Sequence, residues 1–474
     1  MADVSAYHLT ETQIRDRFEE RVRGFIFDEH RTSDHPVLVM VGGQPGAGKT
    51  MAMQAAEHRH AVGDIIALTA DDLRPLHPRY EDLMRDDPLL MVDATTQATS
   101  VWMQMAYEYA RNPEHQYSLM MEGTFRDPAA TLLDAERFAE AGVSVELVAL
   151  SVRQERSRLD ALHRYLPAAN AQPGRWVFAD RHDEAYRMVA ATVEAAETSP
   201  HIQRVTVTNR SGADLYVNSR GPDGRLIAEA RGAQVVEEER NRPFPPEEAR
   251  GWLTRHADTL IAFAAAGEIN DNSRPVLQRV AGPDADVVVA MVDSDPTSDV
   301  RRAHASRQLL LQTLVDEPLA LGSALPYRLE SEQGLSRRFR HLTQAEETAR
   351  RISEPPAAVD GTERLAQKLT EQGTPPDVVE RAQKAAREDQ QYAQLNAARA
   401  ATQAERLGQS RTAVTAELQR RSRLSPVERQ AEDALRVHLH TALGVVHAQR
   451  SEAPVVHRRI EGPQQSVRRK GESL

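Results

Sequence analysis

Cysteine is absent from this chain of 474 residues. Disulfides, thiolate catalysis and zinc–thiolate sites are therefore excluded, and a reducing cytosol suits such a sequence. Long apolar runs are missing too: no stretch approaches the length needed to span a bilayer. The first residues, MADVSAYHLT, lack a basic segment followed by an apolar one, so the expectation is a soluble, cytoplasmic protein with no membrane partner. Nor is there a basic excess. The formal charge is −11, which argues against general affinity for nucleic acid and leaves only a local basic patch open. Clear internal repeats and heptad arrays are lacking, while the length suffices for about two to four domains.

What the chain does have is VLVMVGGQPGAGKT, Val37 to Thr50. Gly43, Gln44, Pro45, Gly46, Ala47, Gly48, Lys49 and Thr50 fit the P-loop pattern G-x-x-x-x-G-K-[ST] without a departure. The apolar residues before the glycines predict a buried strand, and a helix is expected from about Gly48. Glycine lets the backbone curl so that several N–H groups point at one anion. Lys49 would bring a point charge to the β- and γ-phosphates, Thr50 would offer its hydroxyl to Mg²⁺, and the helix N-terminus adds a favourable dipole. ATP or GTP with Mg²⁺ is the implied cofactor set. The competing reading is a glycine-rich turn that never meets a nucleotide.

Strand and helix signals alternate around this motif. Residues 9–30 carry Ile14, Phe18, Val22, Phe25 and Ile26 at helical spacing, and short apolar runs at 64–72, 117–125, 143–152 and 202–210 end at turn residues. Helical composition fills 95–111 and 129–141, the latter closed by Gly142. The alternation predicts an α/β fold: a P-loop NTPase-like parallel sheet flanked by helices, followed by a mostly helical C-terminal extension. In such a sheet the working residues sit at the carboxyl ends of strands. That rule selects Asp71, Arg74 and His77 after the second strand, and Glu122, Thr124 and Arg126 after the third. A kinase for a small hydroxyl substrate needs a carboxylate near the acceptor and positive charge around the moving phosphoryl group, and both ingredients are here. For Asp71 the alternative is a helix N-cap, and for Glu122 a strand-end carboxylate paired with an arginine.

The P-loop, then DDLRPLHPRY, then EGTFR at the end of the next strand resembles the zeta toxin family over roughly residues 10–210. Asp71, Leu73, Arg74, His77, Pro78 and Tyr80 fit its D-x-[FL]-[RK]-x-x-H-P-x-[YF] segment. The resemblance implies that Asp71 is the base activating the substrate hydroxyl. The implied acceptor is the 3′-hydroxyl of UDP-N-acetylglucosamine, whose phosphorylation starves peptidoglycan synthesis. It implies also two arginines from a lid-like segment, matched here to Arg164 and Arg175 with Arg158 as competitor for the first role. An antitoxin partner is implied as well. An arginine fork stabilises the charge that spreads over the γ-phosphate oxygens. For Arg153 and Arg156 a solvated helix face is the better reading. No separate Walker B aspartate stands out, which leaves Mg²⁺ to Thr50, phosphate oxygens, water and Asp71.

Domain boundaries are expected at 1–215 for the kinase, 216–270 for a β-hairpin and helix extension, 271–360 for a helical region and 361–474 for a helical or partly disordered tail. Residues 362–440 are weakly apolar, so a compact core there is doubtful. The last 75 residues carry about five more basic than acidic side chains, and the final eighteen look disordered. Three alternatives stay open: a P-loop kinase for another small hydroxyl substrate, a nucleotide-gated interaction protein using its helical C-terminal region, and inhibition of the kinase in cis by that region.

Overall fold

The computed structural model describes residues 4–60, 64–86, 90–166, 176–317, 325–354, 361–373 and 375–452. The chain divides into two compact units, one of residues 1–263 with 269–318 and one of residues 264–268 with 319–474.

Six strands make one sheet in the first unit: β1 (Val37–Gly42), β2 (Ile65–Leu68), β3 (Ser118–Gly123), β4 (Ser144–Leu150), β5 (Arg204–Thr208) and β6 (Asp214–Ser219). Their spatial order is β2-β3-β1-β4-β5-β6. The first five run parallel, and β6 returns antiparallel on β5. Alternate residues of β1 serve two cores. Leu38 and Met40 pack with Trp102, Phe138 and Val189, while Val39 and Val41 pack with Ala52 and Ala56. A strand buried on both faces is what a helix-covered parallel sheet demands of its sequence.

Local chemistry sets the helix ends. In Pro128–Glu140, Asp127 caps by accepting from Ala130 N at 3.1 Å, Pro128 occupies the first turn, and Gly142 at φ 84° ends it. Residues 9–30 do not form one uniform helix. The chain runs through Glu11–Arg17, a π-helical turn at Phe18–Val22, and Arg23–Phe27. Buried Ile14, Phe18, Val22 and Ile26 recur every four residues, which overshoots the α-helical turn, and the wider turn restores their common face. Phe25 falls off that face and is exposed. The Trp102 indole donates to Ile14 O at 3.0 Å, tying this segment to the helix Met91–Ala110.

The second unit is helical: Glu332–Ser353, Gly361–Glu371, Pro376–Ser422 and Pro426–Glu452. Its interior is ionic where the sequence is poor in apolar residues. Glu432 is fully buried, receives Arg420 Nη1 at 2.8 Å and is bonded by Arg436, while Glu417 receives Arg420 and Arg421 at 2.8 Å each. Arg421 Nη2 also donates to the carbonyls of Tyr327, Arg328 and Glu330. The final eighteen residues, expected to be disordered, lie outside the described residues. Among the described residues no helix is long and apolar enough to cross a membrane.

Candidate functional site

β1 delivers the chain to the P-loop, and the helix Lys49–Arg59 follows it. Gly46 and Gly48 adopt φ 78° and 89°. A Cβ on Gly46 would lie 2.0 Å from the Ser157 carbonyl oxygen, so this glycine is required both by its dihedral and by close approach. The Gln44 side chain does not point to solvent. It is fully buried, and its Nε2 donates to Val152 O at 2.8 Å and to Ser157 Oγ at 3.3 Å.

Ser157 Oγ lies 2.8 Å from His182 Nε2, and His182 Nδ1 lies 3.1 Å from Asp183 Oδ1. A carboxylate only accepts, so Nδ1 carries the proton and Nε2 is the acceptor facing the serine hydroxyl. Burial lowers the His182 pKa, which favours that neutral form. Ser157 is itself fully buried, so this trio is a tether holding the loop to the helices Gln154–Tyr165 and Ala179–Thr198 rather than a nucleophile.

Lys49 Nζ donates to Gly43 O at 3.2 Å and lies 3.4 Å from Glu122 Oε1. Burial lowers its pKa, Glu122 opposes that shift, and the positive charge of Arg164 adds to it. Arg164, exposed near the end of its helix, therefore shares an electrostatic field with the P-loop lysine. The expected pairing of Glu122 with an arginine is replaced by this pairing with Lys49. Arg158 is 4% exposed and bound by Asp183 and Asp284 at 2.8 Å each, so its guanidinium is committed to the interior. Arg175 lies outside the described residues. Arg153 and Arg156 are half-buried against the Phe244 ring and paired with Glu155 and Glu248, rather than solvated.

After β2, Thr69 caps the short helix Ala70–Leu73 and Asp72 completes the capping box. Capping is thus done by the neighbours of Asp71, which remains exposed. Its Oδ1 accepts from Arg74 Nε at 2.8 Å. Arg74 is 5% exposed and anchored by donation to Thr95 Oγ1 at 2.7 Å, so a buried guanidinium aims an exposed carboxylate. His77 is buried beneath this segment. Its Nδ1 accepts from Arg79 N at 3.2 Å, and burial lowers its pKa.

At the end of β3, Thr124 is exposed, and Arg126 is exposed and lies 3.5 Å from Glu184. Phe125 between them takes φ 51°, an unusual value for a bulky residue, and its ring covers Gly42 so closely that a Cβ there would lie 2.4 Å from it. Because β2, β3 and β1 are consecutive in the sheet, Asp71, Glu122 and Lys49 come from neighbouring strands at one carboxyl-terminal edge.

For a divalent cation the described residues supply little. Among the described residues no group of three or more His, Asp or Glu side chains is placed to hold a metal. Thr50 is exposed in the first helical turn and Asp71 is exposed after β2. One hydroxyl with phosphate oxygens and water suits Mg²⁺, which keeps most of its water.

Gln44, Ser157 and His182 form a connected set that the sequence does not announce. Ser157 stands 113 residues from Gln44 and 25 from His182, and no spacing rule links such positions. Arg210 is likewise paired far along the chain, with Asp160 50 residues away.

Residues 25–220 match the zeta toxin family model. Toxin zeta of Enterococcus hirae is 24% identical over 258 residues, covering 54% of this chain and 85% of its own length. Toxin PezT of Streptococcus pneumoniae serotype 4 is 24% identical over 188 residues, covering 39% of this chain and 73% of its own. A solved structure from the PezAT chromosomal toxin–antitoxin system of Streptococcus pneumoniae superposes with a TM-score of 0.45 at 20% identity. It covers 54% of this chain and 99% of that one.

Proposed function

We propose, from the premise that residues 25–220 belong to the zeta toxin family of P-loop kinase-like toxins, that this chain is an ATP- or GTP-dependent kinase acting on a nucleotide sugar. The acceptor is the 3′-hydroxyl of UDP-N-acetylglucosamine, the consequence is a block in cell-wall synthesis, and the place of action is the cytoplasm. By the same premise an antitoxin is its protein partner.

The observation that carries this reading is the row of groups after β2, on β3 and after β1: an exposed carboxylate held by a buried arginine, an acid, and a P-loop lysine paired with that acid. Asp71 accepts the proton of the acceptor hydroxyl as its oxygen attacks the γ-phosphorus. The bond from that phosphorus to the β-bridging oxygen breaks, and the nucleoside diphosphate leaves. Lys49, Arg164 and Arg175 neutralise the charge that spreads over the phosphoryl oxygens. Arg74, Glu122, Thr124 and Arg126 position the acceptor, with His77 supporting them from beneath. Magnesium, held by Thr50 and Asp71, would supply charge neutralisation at the phosphates.

The test is mass spectrometry of UDP-N-acetylglucosamine incubated with protein, ATP and Mg²⁺. Wild type should add one phosphate. Asp71→Asn should bind ATP normally yet lose about a hundredfold or more in transfer, the usual scale for a missing general base. Undiminished turnover in that variant would remove Asp71 from the role. ATP binding without any phosphate transferred by wild type would move the acceptor elsewhere.

A further inference from the structure

The P-loop is flanked on its β5 side by an arginine that neither the motif nor the proposed catalytic row includes. Arg210 follows β5 in the turn Asn209–Gly212, which closes with Gly212 N donating to Asn209 O at 3.1 Å. Gly212 takes φ 81°, and a Cβ there would lie 2.9 Å from Met51 O, so the turn is seated on the first residues of the P-loop helix. A Cβ on Gly48 would lie 3.4 Å from Arg210 Cγ and 3.6 Å from Nη1. The guanidinium is held from one edge: Asp160, itself nearly buried, accepts from Nε at 3.0 Å and also bonds Nη2. Nη1, the guanidinium nitrogen not bonded to Asp160, borders Gly48.

Sheet order gives this arrangement a direction. Lys49 leans toward Glu122 on the β3 side of β1, and Asp71 lies one strand further out. A triphosphate bound to this loop with its γ-phosphate toward that row must run its other end toward β4 and β5, where Arg210 stands. We infer that Arg210 is a nucleotide-binding residue, its Asp160-oriented guanidinium contacting the α-phosphate at the nucleoside end of a bound nucleoside triphosphate. The inference rests on the kinase reading above. It adds a residue on the opposite side of the loop from the transfer chemistry, and so a role in holding nucleotide rather than in the reaction.

Asp160 provides an internal control, because it also accepts from Arg255 Nη1 at 3.0 Å. Either arginine can be removed while the carboxylate keeps a partner, but only Arg210 borders Gly48. The experiment is calorimetric titration of the full chain with ATP and, separately, with pyrophosphate, which has two phosphates where ATP has three and can satisfy the loop and Lys49 without the α position. Arg210→Ala should bind ATP about tenfold more weakly, one charge-assisted contact discounted for partial exposure, and pyrophosphate as wild type does. Arg255→Ala should match wild type for both. Arg210→Lys, which keeps a charge without the fork to Asp160, should fall between wild type and alanine for ATP. Unchanged ATP affinity in Arg210→Ala overturns the inference, and so does an equal loss for pyrophosphate, which would mean that Arg210 only shapes the loop. Wild type that binds neither probe overturns the kinase reading itself.

Discussion

Lys49 is a cation that burial strips of water while the motif requires it charged. Its pKa is pulled down by burial and by Arg164 and pushed back up by Glu122 at 3.4 Å. Glu122→Gln removes the opposing influence and leaves the other two. The sign follows: the folded protein then releases the Lys49 proton at a lower pH than wild type, and phosphate affinity goes with it. ATP titrations repeated across the alkaline range should show the high-pH loss of binding moving to lower pH in Glu122→Gln. A limb that stays in place would mean that Glu122 does not sustain the lysine's charge. The residue types at this edge were legible in the sequence, because strand ends and the P-loop pattern announce them. Pairings were not: Glu122 meets Lys49 rather than an arginine, and Asp71 is freed by Thr69 and Asp72, since such choices depend on which strands become neighbours.

At the scale of elements, the parallel strands could be read from their apolar runs, and Pro128–Glu140 from its proline and glycine. The links between elements could not, and the clearest case is the π-helical turn Val280–Asp284, which reaches the helix Gln154–Tyr165 through Asp284 and Arg158. Asp284 is buried, and burial pushes its carboxyl up to about 6, with Glu155 adding to the shift and Arg158 and Arg279 opposing it. A folded-state value above the unfolded one means that the folded chain holds the proton more tightly. The stability this group adds is full below its unfolded pKa and is lost as pH rises through about 6. Asp183, the other carboxylate on Arg158, is held well below the usual range by His182 and Arg158, so it titrates only in stronger acid. Melting temperatures of wild type and Asp284→Asn, compared from about pH 4 to about pH 7, should therefore show the wild-type advantage shrinking as pH rises. A difference that stays flat would show that Asp284 does not titrate in this range. Disagreement in the absolute stabilities is expected in any case, because the amide also removes an ionic partner from a buried guanidinium.

For the whole molecule, composition places the end of the kinase near residue 215, an extension to 270 and doubtful packing after 361, because apolar content is what composition measures. Two physical facts escape that measure. The first unit takes in residues 269–318 as well, and the second buries arginine–glutamate pairs, with Glu432 between Arg420 and Arg436, beside apolar residues such as Leu335, Val414, Leu435 and Leu439. The choice of truncation follows from the first fact. A chain cut at 270 loses Asp284 and leaves Arg158 buried with one carboxylate fewer, together with the apolar contacts of Val276, Leu277, Val288 and Leu310. Asp183 still partners Arg158, so the cost falls below the about 3–5 kcal/mol of a buried charge left wholly unpaired, and the loss of apolar burial adds to it. A chain cut at 318 keeps all of these. The expected outcome is that the longer truncation melts as one cooperative unit and binds ATP like the full chain, while the shorter one melts well below it or fails to bind. Equal melting and binding by the two would mean that residues 271–318 contribute nothing to the nucleotide unit, against the packing of Asp284 on Arg158. Only the cut at 318 can then ask whether residues 319–474 restrain transfer, since a change in turnover after the cut at 270 would mix any release with damage to the helix that carries Arg164.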